Sequence, residues 1–220
     1  MKTKLLTTAM MVAFIMTAMT KVQAQNFEGP CLPQMHGMDG HQSALCGSTQ
    51  AIALAAGATW VSFNVETTLD DLKAALLVAT EGVQAITIQE QNSNIKYNPN
   101  NHRWTGQLIT LDMSKMYKIS VADACEIMVE GSRINPAAHS VTINNGANWI
   151  AFPLSEGMTP TNAFAGFAVN GDKVQSQNSN ANYNNGRWTG RLTTLEPGQG
   201  YIYQSSVSET RTLVFPTNAK

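Results

Sequence analysis

The chain has 220 residues, of which 13% are charged, and a formal net charge of −1. Its cations are scattered and form no basic block, which argues against nucleic acid as a partner. This length suits one large domain or two small ones.

Residues 1–24 read as a secretory signal peptide. MKTK is a short basic start, LLTTAMMVAFIMTAMT an uncharged apolar run, and Val22-Gln23-Ala24 a cleavage site with small residues at both recognition positions. The apolar run is about 16 residues, short of the ~20 that a spanning helix needs. No later stretch is apolar enough to span, and no cysteine stands at the cleavage point to carry a lipid. The expected product is secreted, periplasmic or associated with the cell surface. Cleavage removes Lys2, Lys4 and Lys21, leaving 11 basic against 15 acidic residues and a charge of −4.

Residues 25–49 form a segment rich in Cys, His and Met. In CLPQMHGMDGHQSALC, Cys31, His36, His41 and Cys46 recur at intervals of five, with Met35 and Met38 between them. Such ligands suit zinc, or copper with the methionines. A zinc finger, however, places ligands two to four residues apart, and this spacing fits no established site. The alternatives are a Cys31–Cys46 disulfide or unpaired thiols. The disulfide would stabilise by roughly 3 kcal/mol through loop closure. Cys125 in CEIMV reads as a buried, inert thiol.

From residue 50 the chain repeats itself. GATWVSFNV (57–65) returns as GANWIAFPL (146–154), QNSNIKYNPNNHRWTG (91–106) as QNSNANYNNGRWTG (177–190), and QLITLDMSKMYKIS (107–120) as RLTTLEPGQGYIYQS (191–205). The spacing from Trp104 to Tyr117 is 13 residues, as it is from Trp188 to Tyr201. Copy one spans 50–134 and copy two 139–216, joined by a link containing Pro136. Two copies are too few for a solenoid, so each is a small module or half of a packed pair.

Within a copy the period is mostly two. Val61, Phe63 and Val65 share one strand face; Trp60, Ser62 and Asn64 share the other. A helix follows, capped by Thr68 with Asp71 three residues on, and carrying a stripe of Leu69, Leu72, Leu76 and Ala79. In copy two Thr159 caps, Pro160 takes the first turn, and Ala163, Phe164 and Phe167 make the stripe. Short strands broken by NPNN, NGD, NNG and EPGQG complete each copy. The expected fold is mainly β with one short helix per repeat (α+β). It would form two tandem small antiparallel β roll or barrel modules of about six strands each, rather than a flat sandwich, because an edge needs cover.

The combined pattern of W-x-x-F-P-L, a helix, GDKVQSQ, Tyr, W-x-G-x-L-x-x-LEPGQGYIYQS and a last apolar strand resembles a tandem module of secreted and surface proteins of Bacteroidales. The resemblance covers about 50–216; copy one departs from it where DMSKMY replaces EPGQGY. It implies export, tandem β modules and attachment to other surface domains. It implies no catalytic residue.

The repeated phrase admits two readings. Tyr97, Trp104, Tyr183 and Trp188 could stack on a ligand such as a sugar, with amides reading its hydroxyls. Alternatively the phrase is scaffold, with QNSN satisfying its own backbone and Gly106 and Gly190 permitting a bulge or close approach. The sequence carries no HExxH, no G-x-S-x-G and no phosphate-cradling loop. Asp70 and Asp71 are explained by a helix N-terminus and Asp172 by a turn; His102 lies in turn-like sequence with no counterpart in copy two, and His139, before a strand, reads as solvated. The expectation is a non-catalytic binding, adhesion or assembly protein, without cofactor, whose partner is a glycan or another surface protein. An exported metal-binding protein using Cys31, His36, His41 and Cys46 is the first alternative, and an unrecognised hydrolase the second.

Overall fold

Alternating apolar residues and left-handed turn residues cut the chain into short strands that pair with their neighbours. The computed structural model describes residues 26–28 and 47–217. The proposed signal peptide and the Cys31, His36, His41, Cys46 set lie outside the described residues.

The first repeat comprises β2 (Ser48–Leu54), β3 (Gly57–Val61), α1 (Leu69–Ala79), β4 (Ile86–Gln89), β5 (Asn94–Asn98), β6 (Arg103–Gly106), β7 (Tyr117–Val121) and β8 (Cys125–Gly131), with β1 (Asn26–Glu28) added to β2. The second comprises β9 (Val141–Ile143), β10 (Gly146–Ile150), α2 (Pro160–Ala163), β11 (Lys173–Gln175), β12 (Asn180–Asn184), β13 (Arg187–Gly190), β14 (Tyr201–Ser205) and β15 (Arg211–Leu213). Each repeat forms an antiparallel five-stranded sheet, β3-β7-β4-β5-β6 and β10-β14-β11-β12-β13, in the same order. Beside it lies a smaller ladder, β2–β8 or β9–β15.

The fold is mainly β with one helix per repeat and two tandem antiparallel modules, as expected, but both five-stranded sheets are open and neither closes into a barrel. The physical reason lies at the edges: β3 and β10, the first edge of each sheet, are covered by the other repeat. Cover by a neighbour removes the need to close.

Each repeat has its own core. Val61, Phe63 and Val65 are fully buried with Leu72, Leu76, Ile88 and Tyr117 in the first; Ile150, Phe152, Phe164, Val174 and Tyr201 occupy the second. The helix starts as its sequence requires, with Thr68 Oγ1 accepting from the Asp71 N–H at 3.1 Å. In the second repeat the helix is a single turn capped by Thr159, and Phe164, already at its C-cap, carries the aromatic contacts to Tyr203, Trp188 and Phe215.

One buried polar cluster belongs to the second repeat alone. Asp172 is fully buried and accepts from Tyr203 Oη (2.5 Å), Ser206 N (2.8 Å), Ser206 Oγ (2.9 Å), Val169 N (3.1 Å) and Arg211 Nη2 (3.1 Å). Burial pushes its carboxyl upward in pKa, but these donors more than offset that and hold it below its ordinary value. The strand registers place Ile86, Ile119 and Cys125 at the matching positions of the first repeat. Cys125 is a half-buried free thiol packed on that core, its pKa raised by burial.

Candidate functional site at the junction of the repeats

The repeated phrase explains the junction. Gln177, in QNSN of the second repeat, accepts from Trp60 N at 3.0 Å and donates to the Ala58 carbonyl at 2.8 Å. Gln91, in QNSN of the first, accepts from Trp149 N at 3.0 Å and donates to the Ala147 carbonyl at 2.9 Å. Each side-chain amide mimics a strand peptide on the edge of the other repeat, and the exchange is reciprocal. Four hydrogen bonds, each worth about 0.5–1.5 kcal/mol net, join the repeats through this one residue type.

The backbone strengthens the same seam. Ser62 N donates to the Gly198 carbonyl at 3.0 Å, and its counterpart Ala151 N donates to the Ser114 carbonyl, also at 3.0 Å. Ser62, fully buried, directs its hydroxyl to the Gln199 and Phe152 carbonyls. Lys118 places its ammonium 4.9 Å from the Trp60 ring centroid and 4.3 Å from that of Trp149, a cation between two indoles.

The departure of DMSKMY from EPGQGY also has its cause here. Met116 is fully buried, and its counterpart in the second repeat is Gly200. A Cβ on Gly200 would lie 2.5 Å from Met116 Cβ and 2.8 Å from the Val61 carbonyl oxygen. The two copies have diverged into a knob and a hole. The first copy makes its turn without the left-handed glycine of the second (Gly198, φ 81°). Instead, Asp112 Oδ1 accepts from Ser114 N at 2.9 Å and from Ser114 Oγ at 2.6 Å.

The remainder of the phrase is largely scaffold. The turns close on themselves, Glu90 N to Ser93 O and Ser176 N to Ser179 O. Asn94 O then accepts from Gln107 N and Leu108 N, as Asn180 O does from Arg191 N and Leu192 N. That doubled carbonyl requires the glycine: a Cβ on Gly106 or Gly190 (each φ 148°) would lie 2.2 or 2.3 Å from it. Of the four expected stacking platforms, Tyr97 is buried in the core and pairs across the hairpin with Trp104 at 5.2 Å between centroids. Tyr183 and Trp188 pair in the same way at 5.2 Å, and Trp188 also packs on Phe164. Tyr97 is therefore no platform, and Trp104 and Trp188, packed against the cores, are only half-buried.

The recurring Trp-to-Tyr spacing serves the loop before the next strand. Tyr117 Oη accepts from Asp112 N at 2.6 Å and Tyr201 Oη from Glu196 N at 2.6 Å. Burial raises the pKa of both phenols, so neither ionises near neutrality. Of the histidines, His102 Nδ1 lies 3.0 Å from Tyr97 Oη, and His139 Nε2 lies 2.7 Å from Glu66 Oε1. Among the described residues no group of three His, Cys, Asp or Glu side chains is placed to hold a metal ion.

The junction leaves a groove of about 630 Å³. One wall is the Asn92 corner and the Ser114 turn of the first repeat. The other is Ser140, Thr142, Asn145 and Trp149 of the second. Of the groove residues the sequence pointed only to the QNSN amides, because the two walls lie far apart along the chain. Lys115, at the rim, has Glu90 at 3.7 Å and Asp112 at 3.9 Å, which offset its charge.

No family model matches this chain, and no curated protein or solved structure matches it. Among the described residues no helix is long and apolar enough to cross a membrane, which says nothing of β-barrels.

Proposed function

We propose that the chain is an exported, non-catalytic binding or assembly protein whose two repeats act as one body outside the cell or at its surface. The reciprocal glutamine exchange carries this reading. It turns two small open sheets into one unit and holds a polar groove across their junction. Independently moving spacer modules have no use for such a seam. The signal-peptide pattern and the resemblance to Bacteroidales surface modules support export.

Surface plasmon resonance of the exported chain over immobilised polysaccharides and over surface proteins of the producing cell tests it. Saturable, reversible capture without turnover is expected. Turnover of a captured partner, abolished by a single substitution, would instead make the protein a hydrolase. A stoichiometric metal lost on Cys31→Ser would move function to the N-terminal segment.

A further inference from the structure

We infer that the groove between the repeats binds a neutral oligosaccharide, an inference that rests on the binding-protein reading above. The duplication supplies an internal control. At the positions where the first repeat has Ala51, Ala53, Ala55 and Ala56, the second has Ser140, Thr142, Asn144 and Asn145. The first repeat forms its strand pair with alanines, so the fold does not demand polar groups there. In the second repeat these side chains lie along the groove.

Some of that polarity is used internally. Asn144 Oδ1 accepts from Thr210 Oγ1 at 2.9 Å, and Asn145 Nδ2 donates to the Val207 carbonyl at 2.8 Å. Ser140, Thr142 and, on the facing wall, Asn92 are exposed, and their side chains have no hydrogen-bond partner among the described residues. The groove thus presents hydroxyl and amide groups, each both donor and acceptor, beside the half-buried indole of Trp149, one face of which carries the Lys118 ammonium. Alternating donors and acceptors match sugar hydroxyls, and an aromatic face suits the apolar face of a pyranose. Lys115, in the groove wall, already faces Glu90 and Asp112, and the Lys118 ammonium lies over the Trp60 and Trp149 rings, so both lysines are engaged, which disfavours an acidic ligand. The volume of about 630 Å³ falls within the ~300–1,000 Å³ range of ligand clefts. Because Gln91 ties the Asn92 corner to β10, the two walls are held in place before a ligand arrives.

The test titrates the whole exported chain with neutral oligosaccharides of gluco, manno, galacto and xylo configuration, followed by tryptophan fluorescence and calorimetry. At least one configuration is expected to bind. The double variant Asn92→Ala/Thr142→Ala should weaken it about tenfold, since two hydrogen bonds are lost. Its melting temperature should stay that of the parent, because both residues are exposed. Asn178→Ala, the equivalent corner on the alanine side, should leave affinity unchanged. Equal weakening by Asn178→Ala, or undiminished binding by the double variant, would overturn the groove while leaving a binding protein. Failure of every neutral saccharide, with capture of a surface protein retained, would overturn the ligand class and likewise spare the wider reading.

Discussion

Asp172→Ala is expected to destabilise the protein by about 3–5 kcal/mol, the cost of breaking a buried ion pair by removing one partner. The substitution takes the acceptor from five hydrogen bonds at once, including that of the fully buried Tyr203 hydroxyl. Arg211 would keep only its bonds to the Phe167 carbonyl (2.7 Å) and Ser205 Oγ (3.1 Å). Tyr203→Phe removes one donor to a charged acceptor and should cost less, about 1.5–3 kcal/mol. An apolar set of the kind the first repeat uses, Asp172→Ile with Tyr203→Phe and Arg211→Met, should recover at least half of the Asp172→Ala loss. Urea unfolding at pH 7 measures all three, and the single alanine change should lower the melting temperature by roughly 6–20 °C at 2–4 °C per kcal/mol. The carboxyl is held below its ordinary pKa in the folded state. Its stabilisation is therefore complete above the unfolded value near ~3.9 and lost as pH falls through the folded one. The parent should lose stability on acidification below about pH 4, and Asp172→Ala should show a flatter acid limb. A loss under about 1 kcal/mol, with an unchanged acid limb, would show that the cluster does not hold the second repeat together.

Two glycine substitutions test the junction and the hairpins. Gly200→Ala should cost about 1–3 kcal/mol by overpacking, because its Cβ meets Met116 Cβ and the Val61 carbonyl. Met116→Gly, itself costly because Met116 is fully buried, should together with Gly200→Ala lose less than the sum of the two single variants in a double-mutant cycle; strict additivity would mean that the knob and hole do not touch. Gly190→Ala should cost about 3 kcal/mol or more in thermal or urea unfolding, since the added Cβ meets the Asn180 carbonyl at 2.3 Å and φ is 148°. A cost below 0.5 kcal/mol (roughly the scale of a surface change) would remove the close approach as the reason for this glycine.

Much of the fold was legible in the sequence because its determinants are local. Alternation located Val61, Phe63 and Val65, Thr68 marked the helix start, and Gly106 and Gly190 marked the close approach. What was not legible depends on partners far along the chain. Gln177 binds a strand 117 residues earlier, and nothing in QNSN announces a partner at that distance. Ser62 reads as the polar face of a half-exposed strand, yet the other repeat buries it. The expectation of a barrel failed for the same reason, since the cover for β3 and β10 comes from outside each sheet. Spacing shows which rings are neighbours across a hairpin but not that the core buries Tyr97 and packs against Trp104 and Trp188. The groove combines Asn92 with Thr142, which only the docking of two repeats brings to facing walls.

The central claim, that the glutamines of the repeated phrase clasp the two repeats reciprocally, is tested most directly by residue-resolved amide hydrogen exchange. Trp60 N–H and Trp149 N–H face outward from edge strands and are each satisfied by one glutamine of the other repeat. Gln177→Ala should speed exchange at Trp60 about tenfold and leave Trp149 unchanged, and Gln91→Ala should do the reverse. Equal exchange at both amides in the parent and in both variants would contradict the clasp.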